Sequence, residues 1–416
     1  MDLEYLGKKP IAILGAGGVG KPCAADCALA GREVRLWDDP RFAPKSLRNI
    51  KEGGLYISGE ELNLINFHRN GHCMLDMVTD NLAEAVKGAG LIIVATVALG
   101  HKALFEKLIP LLEDGQFVHI IPDNYGTLLM RKMMHEAGCT TKVVVGGWGT
   151  SPYGARVMVK GGVTTTEISI LDRVLTQRGA ALPATDTDVF MESAKYFPPF
   201  DQVYEADGAD PHFGMRRGDT ALDVSISNIN PVLHVPGVIL GVAAMQNFEL
   251  FGKHIQYYSL YAHGFCPAIS KVQDVFYTEQ EQVAAAAGTE IAPVEHEYFY
   301  SRSNIYGPEY MGTGYMVPFS EDFRNKQIPY GDGPTSLDTR YITEDIPIGC
   351  YVTHQLGEKF GVKTPIVDTM ITLAETMTGK ELCKETGYTL DFLGIGHMSK
   401  EELSLWLREG VYTEKK

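Results

Sequence analysis

The chain of 416 residues is longer than one hydrophobic core usually serves, so its length predicts two domains. It carries 37 lysines and arginines against 52 aspartates and glutamates, a formal net charge of −15. Because nucleic acid and anionic membranes attract basic surfaces, this balance argues against either as the main partner and favours small-molecule ligands.

The first half of the chain alternates short apolar strands with helical stretches. Strands are predicted at 11–14, 33–37, 91–96, 117–122 and 142–147, and helices at 21–30, 101–114 and 126–138. Near-continuous apolar strands that alternate with helices predict a parallel sheet covered on both faces. The expected fold class is α/β, with a doubly wound (Rossmann) domain over residues 1–208.

The loop after the first strand reads GAGGVG and opens the first helix. Its residues are predicted to bind a dinucleotide: Gly15, Ala16, Gly17, Gly18, Val19 and Gly20. Gly15 is expected to permit the tight turn, and Gly17 to let a pyrophosphate approach the backbone. Gly20 should let the helix pack on the strand, with the helix N-terminus facing the phosphates. A purely structural glycine turn is the alternative.

Two further strand ends extend the dinucleotide prediction. Asp38, at the end of the second strand, should accept hydrogen bonds from the adenosine ribose and repel a 2′-phosphate, which favours NAD. Arg41 lies close enough in sequence to leave NADP open. Thr96 and Val97, at the end of the third predicted strand, are expected near the nicotinamide ribose.

Two later strand ends are candidates for substrate contacts. The segments PDNYGT (122–127) and GWGTSPYGAR (147–156) place small and polar residues past the carboxyl ends of strands. Open α/β sheets bind ligands at that edge, so Asn124 and Thr150 are predicted to contact the substrate. Ordinary turns are the alternative for both segments.

The cysteines predict a reducing compartment. They are odd in number and lack CxxC spacing, at positions 23, 27, 73, 139, 266, 350 and 383. Reduced cytosolic thiols are therefore expected rather than disulfides. Cys23 and Cys27 lie four residues apart and could form a metal pair, but buried small residues are favoured, and no metal site is predicted.

The sequence also lacks the expected features of a signal peptide or a membrane-spanning segment. The charged N-terminus MDLEYLGKKP does not read as a signal peptide. The apolar run at 235–245 is shorter than the ~20 residues that span a bilayer. A cytoplasmic protein without membrane contact is expected.

After about residue 205 the pattern becomes helical. The segment 271–288 has helical spacing and ends at Gly288. In the segment 364–379, Thr364 can cap, Pro365 can occupy the first turn and Gly379 can end the helix. An all-helical domain is predicted over residues 209–416.

Within that domain, the segment SNINPVLHVPG (227–237) embeds polar side chains in an apolar run. Asn228, Asn230 and His234 would be costly to bury without partners. A lone histidine on an apolar face is more often structural than catalytic, but RYITEDIP (340–347) offers Glu344 and Asp345 as carboxylate partners. The alternative is that Asp345 only caps a helix.

Four places together resemble the opine dehydrogenases, relatives of octopine and nopaline dehydrogenase. They are GAGGVG at 15–20, NPVLH at 230–234, LDTRYITED at 337–345 leading into GEKFGVKTPIVD, and the tail TLDFLGIGHMS. The resemblance implies a dinucleotide-binding domain followed by a helical domain, with substrates meeting the nicotinamide in the cleft between them. It favours chemistry over helix capping for RYITEDIP.

The resemblance also implies a reaction and its residues. Such enzymes use NADH or NADPH to reduce the imine formed from a 2-oxo acid, such as pyruvate, and an amino acid or other amine. His234 would be the acid/base catalyst, Asp345 its partner, and Arg340 the clamp for a substrate carboxylate. Asn230 is a candidate substrate contact in the same segment.

The chain departs from the family pattern beside the histidine and in an aromatic region. Val235 and Gly241 stand where relatives often have proline and asparagine, and the proline is shifted to Pro236. The aromatic-rich region 295–330 would suit a bulky or cationic amine. An oligomer interface, which leaves a homodimer open, and simple loop packing are equal alternatives.

Two rival functions remain at this point. A 2-oxo-acid or ketone reductase of the ketopantoate reductase type shares the two-domain plan but usually relies on a lysine-centred site. A catalytically inactive nucleotide-binding protein is the rival from another class. The expected pairing of His234 with Asp345 argues against the reductase, and the presence of His234, Arg340 and Asp345 argues against the inactive protein.

Overall fold

The computed structural model describes residues 3–59, 69–160, 163–174, 176–201, 214–251, 258, 260, 267–291 and 333–415. The chain forms two compact units, residues 1–225 together with 401–416, and residues 226–400. The expected domain boundary at residues 208 and 209 lies outside the described residues and stays a prediction.

The first unit contains two β-sheets. Their strands are β1 (Ile11–Leu14), β2 (Val34–Trp37), β3 (Leu55–Ser58), β4 (Gly71–Cys73), β5 (Met77–Thr79), β6 (Leu91–Val94), β7 (Phe117–Ile120), β8 (Val144–Trp148), β9 (Tyr153–Lys160), β10 (Val163–Arg173), β11 (Thr176–Ala181) and β12 (Gly214–Arg217). The larger sheet has the order β12-β11-β8-β7-β6-β1-β2-β5, and the smaller one β4-β3-β10-β9.

Helices accompany these strands along the chain. They are α1 (Gly20–Leu29), α2 (Ala43–Ser46), α3 (Ile50–Gly53), α4 (Leu82–Val86), α5 (His101–Leu108), α6 (Gly126–Glu136), α7 (Thr187–Ser193) and α8 (Ala221–Ile226). Short 3-10 helices occur at Glu4–Lys8, Ala98–Gly100, Ile109–Leu111, Ala184–Asp186, Ala194–Tyr196 and Pro198–Phe200.

The central strands of the large sheet are parallel, and β1 and β6 are fully apolar. Ile11 pairs with Val34 on β2 and with Leu91 on β6. All four residues of β1, β6 and β7 are buried, as expected for strands covered on both faces. The chain runs from β1 to β2 on one side and returns to β6 on the other, so the strand order reverses at β1. The predicted doubly wound α/β fold is confirmed.

The smaller sheet and the edge strands were not predicted from the sequence. Residues 153–156, expected in a loop beyond β8, belong to β9, which pairs antiparallel with β10. Strand β12 lies in the range expected to be all-helical and pairs with β11. These strands carry polar residues such as TTTE and MRR, so they lack the continuous apolar runs that identified the buried strands.

The second unit is helical in its described part, which confirms the predicted class of the C-terminal half. Its helices are α9 (Asn230–Leu240), α10 (Val242–Gln246), α11 (Pro267–Ala287), α12 (Arg340–Thr343), a π-helix (Asp345–Cys350), α13 (Tyr351–Phe360), α14 (Pro365–Thr378) and α15 (Leu382–Thr386). A 3-10 helix spans Phe248–Phe251, and α16 (Lys400–Glu409) leads back into the first unit.

The predicted helix ends are present, but one cap differs. Gly288 and Gly379 follow α11 and α14 with φ of 86° and 66°, the left-handed conformation that suits glycine. Thr364 precedes α14 without a side-chain cap, and its hydroxyl donates instead to Asp368. The carboxylate of Glu279 on α11 accepts from the first amides of α14, at 2.9 Å from Ile366 N and 3.0 Å from Val367 N. A tertiary contact therefore replaces the local cap.

Among the described residues, no helix has both the length and the apolar character needed to cross a membrane.

The contact between β1 and α1 gives a test of the fold. A Cβ at Gly20 would lie 1.7 Å from the carbonyl oxygen of Gly15, so α1 would have to move away from the strand. We expect Gly20→Ala to lower the melting temperature by at least about 5 °C. Gly18→Ala is the matched control, because a Cβ there meets nothing within 4 Å. Equal melting temperatures for the two variants would contradict this account of the turn.

Candidate active site

The glycine loop of the first unit has the shape of an anion-binding turn. Gly15 has φ of +112°, and a Cβ there would lie 2.9 Å from the carbonyl oxygen of Ala95. A Cβ at Gly17 or Gly18 would meet nothing within 4 Å, so the backbone of these residues is open. Helix α1 begins at Gly20, so the loop ends at the positive end of the helix dipole, which attracts an anion. The loop therefore fits a dinucleotide pyrophosphate.

Thr96 and Val97 lie beside this turn, at the end of β6. The Cγ2 atom of Thr96 is 3.0 Å from a Cβ built on Gly15. Its hydroxyl is buried without a hydrogen-bond partner among the described residues, although buried hydroxyls normally have one. The side chain of Val97 is 51% exposed. The hydroxyl of Thr96 could bond to a cofactor, and the exposed side chain of Val97 could pack against one.

Asp38 and its neighbours occupy the end of β2. Asp38 is 9% exposed, and its Oδ1 accepts from the amide of Asp39 at 2.9 Å, which fixes the carboxylate. Asp39 in turn accepts from Arg41 Nε at 2.8 Å and from Lys107 Nζ at 2.9 Å. Asp38 thus has the position at the second strand end that the sequence predicted, and its role with the ribose stays a prediction.

A buried lysine next to the loop was missed in the sequence. Lys21 is fully buried, and its ammonium donates to the carbonyl oxygen of Thr165 on β10 at 3.2 Å. Burial lowers the pKa of Lys21 to about 8, while the charge of Asp38 opposes that shift. The signal was weak, because lysine in a first helical turn is ordinarily exposed and the smaller sheet that covers Lys21 was not predicted.

The segment PDNYGT forms a strained turn at the end of β7. Asn124 and Tyr125 have φ of 43° and 64°, backbone angles that residues other than glycine rarely adopt. Asp123 holds the turn, since its carboxylate accepts from the amide and hydroxyl of Thr127 and from the hydroxyl of Ser225. Ser225 accepts from the amide of Tyr125 at 2.7 Å. Burial raises the pKa of Asp123 to about 6.

This turn leaves Asn124 half-buried at the carboxyl edge of the sheet. Backbone strain that is maintained by buried hydrogen bonds is common at ligand sites, so it supports Asn124 as a candidate ligand contact. Thr150 is also half-buried and follows β8 by two residues. Both residues have the strand-end positions that the sequence predicted, and their contacts with a substrate stay predictions.

The second unit pairs His234 with Asp345. The Nδ1 atom of His234 on α9 lies 2.8 Å from Oδ2 of Asp345 in the π-helix. The side chains are 6% and 13% exposed, so the pair is largely shielded from water. The residues are 111 positions apart in the chain, and the partner expected for the histidine is the one that the fold supplies.

The pair determines which ring nitrogen of His234 carries the hydrogen that the carboxylate accepts. An ionised carboxylate only accepts hydrogen bonds, so Nδ1 of His234 must carry the hydrogen that Asp345 accepts. The Nε2 atom is then the nitrogen that can gain or release a proton. This is the arrangement of an oriented general acid and base.

Asp345 does not cap a helix. The cap position before the π-helix belongs to Glu344, whose side chain makes no cap hydrogen bond. The alternative interpretation of RYITEDIP as a simple helix start is therefore wrong for Asp345, because its carboxylate is bonded to His234 instead. π-Helices are rare and often occur at functional sites.

Tyr341 contacts the imidazole from α12, a helix whose first residue is Arg340. The ring of Tyr341 lies 4.0 Å from that of His234, centroid to centroid, and was not recognised in the sequence. Arg340 directly precedes it and is exposed, without an ion pair to any residue that the structure describes. Asn230 is half-buried at the start of α9, where its amide donates to the side chain of Asn228 at 3.0 Å. The exposed guanidinium of Arg340 suits a carboxylate ligand.

Close packing of α9 on the π-helix holds the pair together. A Cβ at Gly349 would lie 2.2 Å from Cγ of Pro231, so only glycine allows this approach. Pro231 is three residues before His234, and Gly349 is four residues after Asp345. On α11, Gln273 donates to the carbonyl oxygen of Leu233 at 3.1 Å. Gly349 could not be identified in the sequence, because its requirement comes from another helix.

Two other sequence features have plain outcomes. Cys23 and Cys27 are buried on α1, and no group of three potential metal ligands occurs among the described residues. The aromatic-rich region 295–330 lies outside the described residues.

Comparisons with known proteins match the helical part of the chain to a family and, at low identity, nearly the whole chain to a relative. The alpha-helical domain of the NAD/NADP octopine/nopaline dehydrogenase family matches residues 217–378. An opine dehydrogenase of Arthrobacter sp. strain 1C is 25% identical over 403 residues, 94% of this chain and 96% of the relative.

Two solved structures share the fold. Octopine dehydrogenase with NADH and L-arginine is 17% identical, with a TM-score of 0.66 over 98% of this chain and 100% of its own. Yersinopine dehydrogenase bound to NADP+ is 16% identical, with a TM-score of 0.61 over 96% of this chain and 98% of its own.

The buried Lys21 predicts a pH-dependent stability. Its pKa falls from 10.5 in the unfolded chain to about 8 in the folded protein. Between these values the unfolded state holds one more proton, so stability should rise with pH in that window. The difference in unfolding free energy between wild type and Lys21→Met, from denaturant titrations, should therefore be flat below pH 8 and rise above it. The exposed Lys51→Met is the control, and a difference that is constant with pH would contradict the buried charge.

Proposed function

Because the chain belongs to the opine dehydrogenase family of the octopine and nopaline type, we propose that it couples a 2-oxo acid to an amine with NAD(P)H. The oxo acid, such as pyruvate, condenses with an amino acid or other amine, and water leaves to give an imine. Addition of a hydride to the imine carbon and a proton to nitrogen gives a secondary amine. The enzyme class is an NAD(P)-dependent oxidoreductase that acts on a CH–NH group.

The observation that carries this proposal is the 2.8 Å hydrogen bond between His234 and Asp345. Because Nδ1 donates to Asp345, Nε2 is the nitrogen of His234 proposed to exchange a proton with the amine, the departing water and the product nitrogen. Asp345 keeps the imidazole in one orientation and stabilises its charged form. The shielding of the pair from water strengthens both effects.

Arg340 is the proposed carboxylate clamp. A guanidinium can bind both carboxylate oxygens of the 2-oxo acid, which would fix the carbonyl carbon beside the imidazole. The contact of the next residue, Tyr341, with the ring of His234 supports a place for Arg340 near the imidazole. Asn230, Asn124 and Thr150 are proposed as further substrate contacts.

The proposed cofactor is NADH, with NADPH left open, and it supplies the hydride when bound. The loop from Gly15 to Gly20 would hold the pyrophosphate on open backbone and the start of α1. Asp38 would accept from the adenosine ribose, and the buried hydroxyl of Thr96, with Val97, would contact the nicotinamide side. A cytoplasmic location, a homodimer and the absence of a nucleic-acid partner stay predictions.

A double-mutant cycle on the His–Asp pair tests the proposed function. NADH oxidation is measured with pyruvate and a panel of amino acids. We expect Asp345→Asn to reduce kcat by ~10²-fold or more, and His234→Gln by at least as much. The double variant should lose much less than the product of both losses, because the two residues act as a unit. NADH affinity and melting temperature should stay near those of wild type.

A second pair in the same unit is the control. His354 Nδ1 lies 2.8 Å from Asp368 Oδ1, but these side chains are more exposed, at 27% and 47%. Asp368→Asn should change kcat by less than about twofold. Near-normal turnover of Asp345→Asn would remove the basis of the proposal. Oxidation of NADH that ignores the amine would favour the 2-oxo-acid reductase.

The role of Arg340 gives a separate prediction. Arg340→Lys keeps the charge but loses the planar fork, so the KM for the oxo acid should rise about tenfold or more. The affinity for NADH, measured by fluorescence titration, should not change. Arg217→Lys, on a surface ion pair of the first unit, serves as the control. An equal loss of NADH affinity in Arg340→Lys would assign the residue to the cofactor or to the fold.

A further inference from the structure

Four charged side chains form one cluster at the end of β2. Asp39 accepts from Arg41 through both oxygens, at 2.8 Å from Nε and 3.3 Å from Nη2. Lys107, at the end of α5, donates to the same carboxylate at 2.9 Å. Asp38 is the fourth member, with its Oδ1 on the amide of Asp39. Two acids and two cations thus balance at the edge proposed for the adenosine ribose.

The cations of this cluster are held by one carboxylate. The hydrogen bonds from Arg41 keep the pKa of Asp39 well below its usual range, so Asp39 is ionised at neutral pH. Its side chain is 12% exposed, whereas those of Arg41 and Lys107 are 67% and 51% exposed. The two long side chains therefore reach solvent and could turn toward another anion if Asp39 were neutral.

NADPH differs from NADH by a 2′-phosphate at this ribose. A phosphate monoester carries a charge of about −1.5 to −2 and needs cationic partners. In the wild-type protein the phosphate would meet the charge of Asp38 and would have to compete with Asp39 for Arg41 and Lys107. Arg41 or Lys107, if unpaired, would attract the phosphate. Their hydrogen bonds to Asp39 keep them from contacting it.

We propose that Asp39 sets the cofactor preference by holding Arg41 and Lys107 away from the adenosine 2′-phosphate of NADPH. This inference rests on the proposed use of a nicotinamide cofactor. It separates two neighbouring acids by role: Asp38 contacts the ribose, and Asp39 acts only through the two cations. The preference then depends on an ion-pair network and not on the ribose contact alone.

The test is a pair of binding constants for the cofactor-free protein. The Kd values of NADH and NADPH are measured by calorimetric titration for wild type, Asp39→Asn and Asp39→Ala. Both variants should bind NADPH about tenfold more tightly or better, because two cations become available to the phosphate. Their NADH affinity should stay within about twofold of wild type. Melting temperatures show that each variant is folded.

Further variants identify the cations as the cause. Adding Arg41→Gln and Lys107→Gln to Asp39→Asn should abolish the gain in NADPH affinity. Glu33→Gln is the matched control, because it neutralises an acid in a surface ion pair with Arg35 on β2 and should leave both constants unchanged.

Three results would overturn the inference. They are an unchanged NADPH affinity in both Asp39 variants, a gain that persists without Arg41 and Lys107, and an equal gain in Glu33→Gln. A wild-type protein that binds neither cofactor would overturn the proposed function as well. Normal NADH binding with no gain for NADPH would overturn the role of Asp39 alone.

Discussion

A single hydrogen bond of 2.8 Å, from His234 to Asp345, joins segments that lie 111 residues apart, and the second unit is organised around it. Helix α9 supplies the imidazole and the π-helix supplies the carboxylate. Gly349 permits the close approach of Pro231, and Gln273 donates a hydrogen bond to the carbonyl oxygen of Leu233, the residue before the histidine. Helix α14, which packs on the π-helix, is itself capped by Glu279. The chemistry of two side chains therefore depends on contacts among several helices.

The first unit contains no comparable catalytic pair among its proposed site residues. Its proposed cofactor site consists of open backbone and a cluster of charged side chains. Gly15 and Gly20 shape a turn that leaves Gly17 and Gly18 open to an anion. At the neighbouring strand end, the carboxylate of Asp39 engages the only two cations of the four-residue cluster. In the proposed reaction, the first unit would hold the hydride carrier and the second would exchange the protons.

The sequence was informative where a local pattern has one physical cause. The apolar strands at 11–14 and 91–94, the glycine loop and the glycine after α14 were predictable from burial, close approach and positive φ. It was uninformative where the cause lies elsewhere in the chain. Polar strands such as β10 are recognised only by their partners, Lys21 is buried by a sheet that was not expected, and Gly349 is required by Pro231. His234 was identifiable only because a carboxylate and a family resemblance supported it.

The central claim is that a new bond joins the oxo acid to the amine, and product mass tests it most directly. The enzyme is incubated with NADH, pyruvate and amino acids labelled with nitrogen-15, and the products are analysed by mass spectrometry. The account predicts a product that retains the label and has the summed mass of both substrates less one oxygen atom. An unlabelled 2-hydroxy acid, formed equally without the amino acid, would contradict it.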